Sequence, residues 1–247
     1  MANKFYIPGN ERAARVGDLF SAIATRYDLI NDLQSLGLHR WWKRRLVKLA
    51  NVHPGDRALD VCCGTGDIAL ALARCGAEVV GLDFSEPMLA VARERQKAEG
   101  GRQKCRNGVG VQFLEGDTAK LPFADGTFDI VTVGYGLRNL ASWETGLREM
   151  QRVAKPGGRL LVLDFGKPEN RLWRSFYFAY LKLFVPVLGR LFCGDAAAYS
   201  YILESLQHYP AQQGVAAQMR ELGQANVRIV NLLGGVMGIN YGEKPKA

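Results

Sequence analysis

Cysteine is scarce and histidine scarcer, five and three in 247 residues. The cysteines, Cys62, Cys63, Cys75, Cys105 and Cys193, are odd in number and the only close pair is directly adjacent, which fits neither a disulfide framework nor the C-x-x-C spacing of a zinc site. The reading is a reducing compartment and no structural metal. No charge-free run approaches the ~20 residues of a membrane span, and MANKFYIPGNERAARVGDLF at the start puts charges and a proline where a signal peptide needs an apolar stretch. A cytoplasmic protein, neither exported nor membrane-spanning, is expected. Acidic residues are the deficient charge, 24 against 32 basic for a net +8, and residues 1–50 hold nine basic and four acidic side chains. Such a front suits a polyanion, either nucleic acid or an anionic membrane surface, and does not choose between them.

Proline is missing from 10 to 50, where Val16, Leu19, Phe20 and Ile23, then Leu46, Val47, Leu49 and Ala50, stand at helical spacing. Residues 1–50 therefore read as an N-terminal helical cap on the substrate side. HPGD at 53–56 is a turn signal, and from about residue 51 short β-rich runs alternate with helical segments. Strands are expected at 58–64, 77–85, 111–116, 128–136, 159–166, 226–233 and 236–242. Helices are expected at 68–74, 87–97 (with Ser85 as N-cap), 143–154 (closed by KPGG) and 211–223. Seven strands alternating with helices predict an α/β, Rossmann-like, doubly wound and mostly parallel sheet spanning 51–247. An aromatic-rich insert at 167–210, following the fifth strand, interrupts the rhythm. With 48% hydrophobic residues there is material for one large core.

In an open parallel sheet the ligand lies beyond the carboxyl ends of the strands. After the first comes DVCCGTGD, where Gly64 and Gly66 let a ligand approach the backbone and let the chain turn into a helix. The second strand ends at Asp83, nineteen residues beyond Gly64, where a carboxylate can accept both ribose hydroxyl protons. Gly64-x-Gly66-x-x-Ala69 also fits a dinucleotide fingerprint, so this pair of features points to an adenosyl ligand and no further. Asp60, four residues before Gly64, suits a cationic amino-acid moiety. Asp117 and Thr118 after the third strand suit an adenine edge. Both favour S-adenosylmethionine over NAD.

DVCCGTGD, GLDFSEPML, GDTAKLPFADGTFD and KPGGRLLVLDF together resemble class I S-adenosylmethionine-dependent methyltransferases across residues 57–166. RYDLINDLQSLGLHRWWK (26–43), GYGLRNL (134–140) and DAAAYSYILESL (195–206) resemble the C-methyltransferases of ubiquinone and menaquinone biosynthesis. The resemblance implies methyl transfer to a ring carbon of a prenylated quinol, with Thr65, Asp83, Asp117 and Thr118 as donor-binding positions. Many members have Ser at the position of Gly134, so a side-chain contact made there is missing or replaced. FYIPGNER, CCG and GGVMG look more like the naphthoquinone branch, including its phylloquinone enzymes, which favours demethylmenaquinol over a benzoquinol.

The chemistry requires a nucleophilic ring carbon, made so by ionising the neighbouring hydroxyl. For a phenol of pKa ~10 this costs about 4 kcal/mol at pH 7. Arg138 and Asn139, just past the fourth strand, are candidates to hold the phenolate or a water; the structural alternative is an Arg138 salt bridge to the helical preamble. Tyr27 and Asp28 are assigned to the substrate pocket. His39, beside Arg40 and Trp41, is weighed as a base against a capping or packing role. A nucleic-acid methyltransferase is disfavoured, because neither an amine-methylating Asn-Pro-Pro or Asp-Pro-Pro motif nor a Pro-Cys nucleophile occurs. An NAD-binding oxidoreductase and a non-catalytic binding protein are further alternatives. Finally, RLWRSFYFAYLKLFVPVLGRLF (171–192) has more aromatic surface than one packing stripe needs. It is expected either to lie in the core or to shelter the quinol and touch the inner face of a membrane.

Overall fold

The computed structural model describes residues 31–32, 35–100, 110–193, 205–206 and 208–246, with the helical backbone alone over 184–193. Tyr27, Asp28, the preamble positions before residue 31, Cys105 and most of 195–206 lie outside the described residues.

Seven strands form one sheet in the order β3-β2-β1-β4-β5-β7-β6. They are β1 (Arg57–Val61), β2 (Glu78–Asp83), β3 (Gln112–Glu115), β4 (Phe128–Gly134), β5 (Ala154–Phe165), β6 (Ala225–Leu232) and β7 (Met237–Glu243). The first five pair in parallel, and β7 runs antiparallel between β5 and β6. The order reverses at β1, whose neighbours are β2 and β4, so a crevice opens beyond the carboxyl ends of β1 and β4.

Period-two alternation sends successive strand residues to opposite faces, and helices cover both. On one face Ala58, Ile130, Leu161 and Leu163 pack with Trp42, Leu46, Ile68 and Leu72. These come from α1 (Leu38–Ala50) and α2 (Asp67–Arg74), which lie near α3 (Glu86–Gly100). On the other, Leu59, Val131, Leu160 and Val162 pack with Leu147, Met150, Val215 and Met219 of α4 (Trp143–Val153) and α6 (Ala211–Glu221). Helix α1 thus buries Leu46 and Ala50 completely in the main core.

Most boundaries shift by one or two residues from the expected ones, and two of the differences have a clear local cause. β1 stops at Val61 because Cys62 turns to φ +51 and begins the loop. The KPGG segment, expected to close a helix, lies within β5: Gly157 at φ +77 forms an irregularity, and the pairing with β4 jumps from Phe128↔Ala154 to Ile130↔Arg159. The 167–210 insert contains α5 (Arg171–Cys193), which leaves the sheet at the ligand end of β5.

Candidate functional site

The loop after β1 is shaped by three positive-φ residues, Cys62, Gly64 and Gly66. The two glycines serve different ends. A Cβ on Gly66 would sit 2.9 Å from Phe113 Cζ and 3.1 Å from Ala92 Cβ, so its bareness permits helix–sheet packing. A Cβ on Gly64 would meet nothing within 4 Å, so its bareness leaves open space over the backbone.

Asp83, at the end of β2, holds this loop. Its Oδ2 accepts from Gly64 N at 2.8 Å and its Oδ1 from Ser85 N at 3.0 Å. Each carboxylate oxygen has a second lone pair, so the ribose role stays compatible with this geometry. Burial pushes the Asp83 pKa up, against the pull of those amides. Ser85 begins α3 through its carbonyl, which accepts from Leu89 N at 3.1 Å.

Asp60 lies opposite Thr132 in the β1–β4 register, and Thr132 Oγ1 donates to its Oδ1 at 2.7 Å. Its Oδ2 is buried without a hydrogen-bond partner. Burial pushes the carboxyl up to about 7, with the Thr132 hydroxyl, the Ala69 backbone amide and the Lys43 charge acting the other way. A small cavity at this point is lined by Asp60, Gly64, Thr65, Gly134, Tyr135 and Lys43, among others. A buried acceptor facing a cavity is what an ammonium or sulfonium ligand would satisfy, so the residues fit the amino-acid end of S-adenosylmethionine.

The remaining expected residues distribute around this point. Thr65 is buried, and Arg95 Nη1 reaches its Oγ1 at 3.1 Å. Thr118 Oγ1 lies 3.4 Å from Cys62 Sγ, tying the third strand's end to the loop. Asp117 is exposed and accepts from Ala119 N in its own turn. Cys62 and Cys63 are both driven up in pKa by burial, so neither is a reactive thiolate. A Cβ at Gly134 would approach Ile68 Cδ1 to 2.4 Å, so a serine there requires Ile68 to move.

Arg138 and Asn139 sit on the short turn Leu137–Asn139 after β4. Among the described residues Arg138 pairs with Asp164 of β5: Nη1 donates to Asp164 Oδ1 at 2.7 Å and to the Tyr135 carbonyl at 2.6 Å. Its guanidinium also stacks 4.6 Å from the Phe165 ring centre. Both members of the ion pair are nearly sealed from solvent, at 5% and 4% exposure. Asn139 Nδ2 donates to the same Tyr135 carbonyl at 3.3 Å.

His39, at the start of α1, is buried with Nε2 2.8 Å from Asp32 Oδ1, and its pKa is lowered, foremost by burial. It lines a cleft of about 420 Å³ between α1, α2 and α3 rather than the Asp60 cavity. Sequence reasoning passed over Lys43, Asp67 and Arg95, which meet at the border between cleft and cavity, and also Asp164 and Tyr135. Asp67 stood in view within DVCCGTGD, and Lys43 closed the segment 26–43.

Fold and strand order define the class first: this is the Rossmann-like α/β methyltransferase fold. A solved structure from Thermotoga maritima, described as a SAM-dependent methyltransferase and possible histamine N-methyltransferase, superposes with a TM-score of 0.64 at 20% identity, covering 92% of this chain and 99% of that one. The chain belongs to the ubiE/COQ5 methyltransferase family, whose model matches residues 9–244. Its relatives include the ubiquinone/menaquinone biosynthesis C-methyltransferase UbiE of Ectopseudomonas mendocina, 42% identical over 97% of this chain and 92% of that protein. The UbiE of Azotobacter vinelandii is 40% identical over 97% and 93%.

Proposed function

We propose that this chain transfers a methyl group from S-adenosylmethionine to a ring carbon of a prenylated naphthoquinol, converting demethylmenaquinol to menaquinol. The observation that carries the donor half is the Asp60 cavity beneath an open Gly64, beside a loop held by Asp83. The family match over 9–244 supports the acceptor class. FYIPGNER, CCG and GGVMG support the naphthoquinol. GGVMG enters β7 at a turn where α5 is anchored, Trp173 Nε1 donating to the Leu233 carbonyl at 3.0 Å.

Bound S-adenosylmethionine supplies an electrophilic methyl on a sulfonium. The chain's own task is to hold that donor and to favour the ionised ring oxygen of the acceptor. Arg138 and Asn139 are our candidates for meeting that oxygen, since they share the ligand end of the sheet with the donor loop. Because Asp164 offsets the Arg138 charge, the help it gives is that of oriented N–H groups rather than of a net cation. Tyr27 and Asp28 remain assigned to the acceptor side.

We also propose peripheral contact with an anionic membrane face, where a prenyl tail resides. Among the described residues no helix is long and apolar enough to cross a membrane. The support is the outward surface of α5, taken up below, and the basic charge of residues 1–50. The function is tested by assaying reduced demethylmenaquinol and a demethylated benzoquinol side by side. Preferred methylation of the naphthoquinol is expected; equal or better turnover of the benzoquinol assigns the chain to the ubiquinone branch, and turnover of neither overturns the reading.

A further inference from the structure

The border between the Asp60 cavity and the outer cleft is one ion cluster. Lys43, on α1, is 9% exposed and places Nζ 2.6 Å from Asp67 Oδ2 and 5.9 Å from the Tyr135 ring centre. The other Asp67 oxygen, Oδ1, is 2.7 Å from Arg95 Nη1. Two cations therefore share one carboxylate. Lys43 and Asp67 line both the cleft and the cavity.

Asp60 lines the same cavity with its Oδ2 buried and unbonded. At about 30 Å³ the cavity holds roughly two water-sized groups, enough for a charged head group and too little for a nucleoside. An unbonded carboxylate oxygen and a lysine ammonium on the walls of one small cavity are the complement of an α-amino-acid zwitterion.

We infer that Lys43 is a donor-binding residue whose ammonium leaves Asp67 for the carboxylate of the S-adenosyl ligand's amino-acid end, while Asp60 takes that ligand's ammonium. The inference rests on the donor reading above and adds to it a residue and a role. The exchange is permitted because Asp67 does not lose its last counter-ion: Arg95 stays in contact. Lys43 has also been desolvated during folding, so little of that penalty recurs on binding. Lys43 is itself buried on the helix face it shares with Leu46 and Val47, three and four residues on, which limits where the ammonium can go.

The test separates ligand contact from a mere pin between α1 and α2. Binding of S-adenosylhomocysteine and of 5′-methylthioadenosine, which shares the nucleoside and thioether but lacks the amino-acid end, is measured by calorimetry. The proteins are wild type, Lys43→Met and Lys43→Gln, the last keeping chain length and a hydrogen bond to Asp67 should Lys43→Met fail to fold. Loss of a charge-assisted contact predicts about 10- to 100-fold weaker S-adenosylhomocysteine binding, with methylthioadenosine changed less than about threefold. Equal losses for both ligands, or none for either, overturn the role of Lys43. A wild type that binds neither ligand overturns the donor reading itself, and with it this inference.

Discussion

Asp60 bonds Thr132 through one oxygen while the other is buried and unbonded, and its pKa is pushed from 3.8 up to about 7. The sign of the resulting stability change follows from proton uptake. Below pH 4 the carboxyl is protonated in both folded and unfolded chains and costs nothing. Between about pH 4 and 7 the unfolded chain ionises while the folded one keeps its proton, so native stability falls, levelling off above 7. Asp60→Asn has no such titration. Its unfolding free energy minus that of wild type is therefore expected to grow by up to about 4 kcal/mol from pH 4 to pH 7.5, read from urea midpoints; a pH-independent difference would show that Asp60 is ionised throughout. Arg138 makes the opposite case, a buried charge held against a buried counter-ion. Arg138→Met strands Asp164 and is expected to cost about 3 to 5 kcal/mol, much of it restored by adding Asp164→Leu. A loss below about 1 kcal/mol for the single variant would mean that water reaches Asp164 readily. Any activity lost on replacing Arg138 must be compared with that stability change before it is assigned to chemistry.

At the scale of elements, α5 presents two unlike sides. Tyr177 and Leu181 face the core at 6% and 4% exposure, whereas Leu172, Phe176 and Leu183 stand outward at 75%, 71% and 62%. These outward positions recur near helical spacing, so they form a face and not scattered exceptions. Lys182 and Arg171 flank them. Phe176→Ser with Leu183→Ser should reduce co-sedimentation with anionic vesicles several-fold, and added salt should weaken wild-type binding as well. Vesicle binding equal to wild type would remove α5 from the membrane-contact proposal. Sequence alone flags surplus aromatics here but not the face each one takes: Phe176 stands outward while Phe178 lies half-buried, because the phase of the stripe is set by the elements beneath it. The loop after β1 is easier to read. Its glycines, Asp60 and Asp83 are fixed by local turns and by strand ends, which are short-range features. Lys43, Arg95 and Asp164 escaped because they meet their partners 24, 28 and 26 residues away, on different elements.

Across the whole molecule the seven strands were legible because both faces of the sheet are covered, which gives each central strand an unbroken apolar run. The KPGG segment was misleading, since a bulge inside a strand and a helix stop use the same residues. Strand order and direction were less visible, and one of them matters beyond the static fold. β7 is late in the chain yet interior in the sheet, bonded to β5 on one side and β6 on the other, with all but Glu243 of its residues buried. During synthesis, β5 is therefore an open edge until residues near 243 have emerged, and β6 has no strand to join until then. The parallel half can assemble on the ribosome, but closure waits for β7. That interval exposes an unpaired strand edge to other nascent chains, and it gives residues 237–243 an influence on yield out of proportion to their distance from the loop after β1.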